Sequence, residues 1–186
     1  MGAGSLREIR DRMSTVKNTQ KITDAMRLVA AAKVRRAQDA VLKTRPFSQT
    51  LQKVLGGLIQ RLKAEMIDLP LLQVREVKRA VLVVVTADRG LCGSYNTYAI
   101  KKAENRMKEL KKEGIQVELV TIGRKGDSYF RRREVSIRRN FMCGQNPTAK
   151  EASNIADELL AEYLSGEVDR IELIYTRFVS LISSEA

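Results

Sequence analysis

Residues 5–45 contain neither proline nor glycine and carry apolar or small side chains at alternating steps of three and four. A stretch of this kind folds as one helix built to lie along another helix. Written as a heptad, one core position holds Leu6, Met13, Gln20, Arg27, Val34 and Val41, and the other holds Ile9, Val16, Thr23, Ala30, Ala37 and Thr44. Eight of these twelve residues are apolar, enough for a coiled coil. The exceptions, Gln20, Thr23, Arg27 and Thr44, leave open an ordinary amphipathic helix packed on a globular core. Length argues for the coiled coil, because 41 residues at ~1.5 Å rise reach roughly 60 Å, longer than a compact domain made from such a chain. The expectation is a projecting helix whose partner helix lies outside this sequence.

Arg45-Pro46-Phe47 interrupts the pattern, since proline lacks an amide proton and pushes the preceding residue away from helix. Helical periodicity resumes through Phe47, Leu51, Val54, Leu55, Leu58, Ile59 and Leu62, so a kink or short break is expected there, in a helix weakened by Gly56 and Gly57. The segment closes at Asp68-Leu69-Pro70. The expected organisation is a helix over 1–65, a linker over 66–78 and a second domain over 79–186.

In that second domain the period changes. Ala80-Val81-Leu82-Val83-Val84-Val85 is a continuous apolar run suited to a strand buried on both faces of a parallel sheet. A charged amphipathic helix over 95–113 ends at Gly114, and a strand follows over 116–122. A short helix over 123–133, an edge strand over 135–140, a helix over 147–164 opened by Asn146-Pro147, and a strand over 170–176 complete the pattern. Strands alternating with helices in this way predict a doubly wound, Rossmann-like α/β domain.

Such a sheet invites a nucleotide, so the turn after the first strand was tested against the chemistry. It reads Thr86-Ala87-Asp88-Arg89-Gly90-Leu91-Cys92-Gly93-Ser94-Tyr95-Asn96. The dinucleotide fingerprint needs three glycines in a GxGxxG frame; Gly90 and Gly93 stand in the wrong frame. Gly123-Arg124-Lys125-Gly126-Asp127-Ser128 resembles a phosphate loop only superficially. With no histidine, the chain has no histidine base, no histidine-containing triad and no histidine metal ligand. The expectation is an α/β domain without a nucleotide site, no cofactor, no metal and no catalysis.

Formal charge is +12, and residues 5–45 hold eleven Lys/Arg against four Asp/Glu, so +7 of the excess lies there. Such a stripe suits an acidic partner, or is simply a solvated basic face. A basic coiled coil that binds nucleic acid is the rival function. Against it, aromatics are 5% of the chain and none precedes Phe47 in the helix, which leaves no stacking platform for bases. No run approaches the ~18–20 apolar residues that cross a bilayer, and the opening MGAGSLREIR lacks a signal peptide's apolar stretch; a soluble chain is expected. Cys92 and Cys143 fit neither a metal spacing nor a disulfide framework, so both are expected as free thiols in a reducing compartment. Cys92 follows a strand end, where a helix N-terminus would make it reactive; the alternative is a small packing residue in a tight turn. The arginines at 131–133 and 138–139 suit phosphate or lipid headgroups, or form a solvated basic edge.

The segment VKNTQKITDAMRLVAAAK at 16–33 and the turn TADRGLCGSYN at 86–96, with Arg45-Pro46-Phe47 and IGRKG at 122–126, closely resemble the γ subunit of F-type ATP synthase, the central rotor stalk. The resemblance covers essentially the whole chain, and AAAKVRRAQ at 30–38 is most similar to photosynthetic members. One departure is Ser94, where members usually carry glycine. The resemblance further implies that a long C-terminal helix, antiparallel to the first, follows residue 186, so the chain reads as a fragment; the redox-regulated cysteine loop of photosynthetic members also lies beyond it. It implies a shaft inside the α3β3 catalytic assembly, joined by an α/β foot to the ε subunit and the membrane c-ring, with no nucleic-acid partner, on the stromal side of the thylakoid or the cytoplasmic face of a bacterial membrane. Residues 22–32 carry apolar or small side chains nearly all round the helix, as a shaft enclosed by protein must. Lys17, Lys21, Met26, Arg27, Lys33, Arg35 and Arg36 are the expected contacts to the catalytic β subunits.

Overall fold

The protein is described from a computed structural model, which describes residues 3–65, 69–142, 144, 147–180 and 184–185. The chain divides into two compact units, Met1–Ile67 and Asp68–Ala186.

The first unit is one helix, α1 (Ala3–Ala64), of 62 residues. The short break expected as one outcome at Pro46 does not occur; the helix runs through it and through Gly56 and Gly57. Proline at this position removes one backbone bond, to the carbonyl of Leu42. Hydroxyls on either side reinforce the backbone: Thr44 Oγ1 donates to the carbonyls of Ala40 (3.2 Å) and Val41 (3.1 Å), and Ser48 Oγ donates to that of Arg45 (2.9 Å). The loss of a single bond in a helix this long is outweighed by the turns that flank it.

The second unit opens with β1 (Arg79–Val85), followed by α2 (Tyr95–Lys112), β2 (Gln116–Ile122), α3 (Arg124–Arg131), β3 (Ile137–Phe141), α4 (Ala149–Leu164) and β4 (Arg170–Ile174). The four strands form one parallel sheet in the order β3-β2-β1-β4. Successive crossovers move outward from β1 to β3 and then return to its other side, which is the doubly wound pattern expected. Alternation along β1 sends Ala80, Leu82 and Val84 into a core with Ile100, Ala103, Met107 and Leu110 of α2 and Phe130 of α3. Val81 and Val83 face the opposite way, toward Val120, Val168 and Leu159 of α4. Leu82, Leu110 and Phe130 are fully buried, each worth roughly 1.5–3 kcal/mol of burial.

Several ends differ from the sequence expectation by one or two residues. α4 starts at Ala149 because Thr148 caps it: the Thr148 side chain accepts from the Glu151 amide, and the Glu151 carboxylate accepts from the Thr148 amide (2.7 Å). The Asn146 part of the expected start lies outside the described residues. Gly114 adopts φ +76° after α2, as its place at the helix end requires. Two short antiparallel strands, β5 (Arg177–Phe178) and β6 (Ser184–Glu185), were not foreseen.

Carboxylates tie this unit together and set its acid limit. Asp169 accepts from the amides of Lys78 (2.9 Å) and Arg79 (2.8 Å), fastening the entry of β4 to that of β1. Those backbone bonds hold its carboxyl below the ordinary range. Glu172 is held low by the forked hydrogen bonds it accepts from Arg106, at 2.7 and 2.8 Å. A carboxyl whose folded pKa lies below its unfolded value contributes stability above the unfolded pKa, and that contribution is lost as pH falls through the folded pKa. With no histidine to titrate, urea midpoints of the second unit should stay level between about pH 5 and 8 and fall below about pH 4. A midpoint that rose on acidification would contradict these assignments.

Candidate functional site

The surface of α1 is the larger of two candidate sites. Sixteen large apolar side chains of this helix are exposed in the chain by itself, from Leu6 to Leu58. Met26 and Val29 are 62% and 57% exposed, so neither lies in a core of the helical unit. Single exposed apolar side chains are ordinary on a folded surface; sixteen along one helix make α1 a candidate for packing against another helix or polypeptide.

The two threonine exceptions in the heptad have a structural explanation. Thr23 Oγ1 donates to the carbonyl of Thr19 (2.8 Å), Thr19 to that of Thr15 (2.9 Å), and Thr15 to that of Asp11 (3.0 Å), a ladder along one helix face. Thr44 bonds back in the same way. Each hydroxyl proton is turned into its own helix, so the side chain demands no donor-acceptor partner from a neighbour and packs much as valine does. Arg27, a third exception, has Asp24 at 3.7 Å, with both side chains mostly exposed.

Lys17, Lys21, Met26, Arg27, Lys33, Arg35 and Arg36 are all exposed. They do not share a face. At about 100° per residue, Lys17, Lys21 and Arg35 fall on one side, Met26 and Lys33 on the opposite side, and Arg27 and Arg36 on the flanks between. The arrangement suits a rod approached from every direction, and does not suit a single docking plane.

The second candidate is the junction between the β1–α2 turn and the start of α3, where two distant sequence motifs prove to be one structure. Thr86 Oγ1 accepts from the Gly126 amide at 2.9 Å and lies 3.2 Å from the Ile122 carbonyl, to which its hydroxyl donates. Asp88 Oδ1 accepts from the Arg124 amide (2.9 Å), and the Ala87 carbonyl accepts from the Lys125 amide (3.1 Å). Asn96 Oδ1 accepts from the Ala87 amide (2.8 Å), drawing the turn back onto α2. Leu91 and Gly93 take positive φ, +59° and +57°. Ser94 has φ −84°, an ordinary value that serine adopts without strain.

Cys92 is exposed on this turn, not packed into it; its Sγ accepts from Asn96 Nδ2 at 3.1 Å. Cys143 lies outside the described residues. Among the described residues, no three His, Cys, Asp or Glu side chains gather as a metal would require, and no helix is long and apolar enough to cross a membrane.

The arginine-rich stretch divides. Arg131 pairs with Asp127 at 2.9 Å, Arg138 with Glu118 at 2.8 Å and with Glu167 at 2.6 Å, and Arg139 with Glu158 and Glu162. Arg132 and Arg133 instead join Arg89, Arg124 and Lys125 around a cavity of about 520 Å³ beside the β1–α2 turn. Neighbours along the chain thus part in space: Arg131, Arg138 and Arg139 are paired with carboxylates, and Arg132 and Arg133 turn toward the cavity.

Residues 5–186 match the family model described as ATP synthase. The chain is 62% identical over 182 residues to the chloroplastic ATP synthase gamma chain of Phaeodactylum tricornutum, covering 97% of this chain and 49% of that protein. It is 61% identical over 181 residues to the ATP synthase gamma chain of Trichormus variabilis, covering 97% of this chain and 58% of the relative. It thus spans about half the length of the curated relatives it matches. Among solved structures, it resembles a chain from the cryo-EM structure of the Tetrahymena thermophila mitochondrial ATP synthase central stalk and c-ring, with TM-score 0.67 and 27% identity over 88% of this chain and 69% of that one. A chain of the Euglena gracilis mitochondrial enzyme, 19% identical over 99% of this chain and 56% of that one, shares the fold at TM-score 0.57. With the family model running through both of its units, this chain belongs to the ATP synthase gamma-chain family.

Proposed function

We propose that this chain is part of the central-stalk rotor of an ATP synthase, transmitting rotation of the membrane c-ring to the catalytic α and β subunits without performing catalysis itself. The observation that carries this is α1: a 62-residue helix with apolar residues exposed on every side, in a chain whose other unit has a core of its own. Helices of this length gain their stability from what packs on them. A sleeve of α3β3 supplies that packing, while the second unit serves as a foot meeting the ε subunit and the c-ring. The chloroplastic and cyanobacterial relatives favour a place on the stromal side of the thylakoid membrane, or its bacterial equivalent, held there through the complex.

Mechanically, an asymmetric shaft presents a different face to each catalytic site in turn. Each site is biased between open and closed states by the difference in its contact energy with the shaft. Lys17, Lys21, Arg27, Lys33, Arg35 and Arg36 meet acidic loops of the β subunits. Exposed pairs contribute only ~0–1 kcal/mol each, so they act as a soft electrostatic bearing and not as latches.

Met26 and Arg27 are assigned to a moving β-subunit loop. Met26→Lys should change the stability of the free chain by less than about 0.5 kcal/mol, because the side chain is exposed there. In the assembled enzyme, the same lysine places a charge in an apolar contact, and proton pumping per ATP hydrolysed should fall by a larger factor than hydrolysis. Equal pumping per ATP in variant and wild type would reject the assignment.

A further inference from the structure

The cavity beside the β1–α2 turn gathers Arg89, Arg124, Lys125, Arg132 and Arg133 around a single carboxylate, Asp88. That carboxylate is already engaged by the Arg124 amide at 2.9 Å. Several other arginines of this unit are matched to acids, Arg106 to Glu172 at 2.7 Å, Arg131 to Asp127 at 2.9 Å and Arg138 to three glutamates, while Arg75 and Arg79 are held by the carbonyls of Tyr163 and Gly166. Around the cavity the matching stops. Arg133 stacks over the Tyr129 ring at 3.6 Å and lies 3.9 Å from Glu104, but the side chains of Arg89, Arg124, Lys125 and Arg132 have no acidic partner among the described residues.

Four unpaired cations around one concavity repel one another, and with Asp88 the single acid in the lining the basin keeps a strong net positive charge that concentrates anions. The start of α3 adds little, since its first amides are taken by Asp88, the Ala87 carbonyl and Thr86 Oγ1. Recognition therefore falls to side chains. Guanidinium forks bind phosphoryl oxygens two at a time, and a lysine adds a mobile point charge. We propose that this basin binds a phosphoryl group, with Arg89, Arg124 and Arg132 as the forks and Lys125 as the neutralising ammonium. The turn that forms its wall is locked to α3 by the Thr86, Ala87 and Asp88 bonds, so the forks are mounted on a rigid frame. The shared chemistry has two sources, a soluble pyrophosphate-like anion or the headgroup of an anionic phospholipid. The inference does not depend on the rotor function.

The test titrates the full chain with inorganic pyrophosphate by calorimetry, beside the double variants R89A/R132A and R35A/R36A, each of which removes two exposed positive charges. Saturable binding to wild type, weakened roughly tenfold or more in R89A/R132A and little changed in R35A/R36A, is the expected result. Equal weakening in both variants, or no saturation, would overturn the proposal by showing only a diffuse basic field. Sedimentation with phosphatidylcholine vesicles, with and without phosphatidic acid, separates the sources. Binding to the acidic vesicles that pyrophosphate displaces identifies the lipid headgroup, and pyrophosphate binding with no vesicle binding identifies the soluble anion. Capture of an acidic peptide through Arg89 and Arg132 with no response to pyrophosphate would also defeat it.

Discussion

Gly123→Ala is expected to unfold the second unit at ordinary temperature while leaving the composition of the core untouched. Gly123 sits at φ +93°, a conformation that side chains rarely adopt, and its backbone passes directly over Thr86. An added Cβ would lie 2.0 Å from the Thr86 carbonyl oxygen and 2.7 Å from its carbon. Both are main-chain atoms in a segment hydrogen-bonded to β2, with the Thr86 amide donating to the Ile122 carbonyl at 2.7 Å, so neither can yield without opening the sheet. Strain at a special φ and a backbone clash fall among the few causes of point-mutant losses above ~4 kcal/mol. Circular dichroism alone would be a poor monitor, because α1 contributes helix whatever the α/β unit does. Near-ultraviolet signal from Tyr129 and Phe130 together with a urea titration decides it. A midpoint within error of wild type would mean that the strand-to-helix junction has been misdescribed.

Arg138→Met should cost about 3 kcal/mol, the second largest loss. Glu162 of α4 is 7% exposed, and its carboxylate lies 3.2 Å from Arg138 Nε and 3.1 Å from an Arg139 nitrogen. Neither contact has good hydrogen-bond geometry, so the carboxylate depends on the summed charge of both arginines. Removing one partner of a buried pair leaves an uncompensated charge, typically 3–5 kcal/mol; the surviving Arg139 puts this case at the low end. Arg138→Met with Glu162→Gln should recover much of the loss, since the charge is then gone from both sides. A double variant as unstable as the single one would show that Arg138 acts through packing or through Glu118 and Glu167, and not through Glu162.

That pair also shows why part of the fold escaped sequence reading. The apolar run over 80–85 and the periodicity over 95–113 and 147–164 each encode an element through its own local pattern, and so the alternation of strands and helices was legible. β3 was legible only as an edge strand. Leu119 pairs with Ile137 and Val120 with Arg139, so Arg138 is an extra residue in the ladder. The irregularity lets two successive arginines reach the same glutamate on α4, where a regular strand would send them to opposite faces. No local signal marks that bulge, because the residue it brings both arginines to, Glu162, lies on another element and its sequence position gives no hint of burial.

Pro46 failed as a breaker for a related reason. A proline's local cost is fixed, and the periodicity over 47–62 is legible; what a local rule does not weigh is that the turns on both sides together outweigh one lost bond. The motifs at 86–96 and 122–126 were visible as unusual strings, and their contact with each other was not. Thr86, Gly123 and Gly126 acquire their meaning only when β1 and β2 lie side by side. The candidate contacts on α1 stand out by charge and apolarity alone, which identifies a rod without saying which face meets which neighbour.

The central claim is that α1 is an axle enclosed by other polypeptides. It is tested most directly by mixing the chain with purified α and β subunits and weighing the product by native mass spectrometry. The account predicts one copy of this chain inside a closed α3β3 assembly, with Met26 and Val29 shielded from a labelling reagent. A chain that stays free, or that associates only with copies of itself along α1, would contradict it.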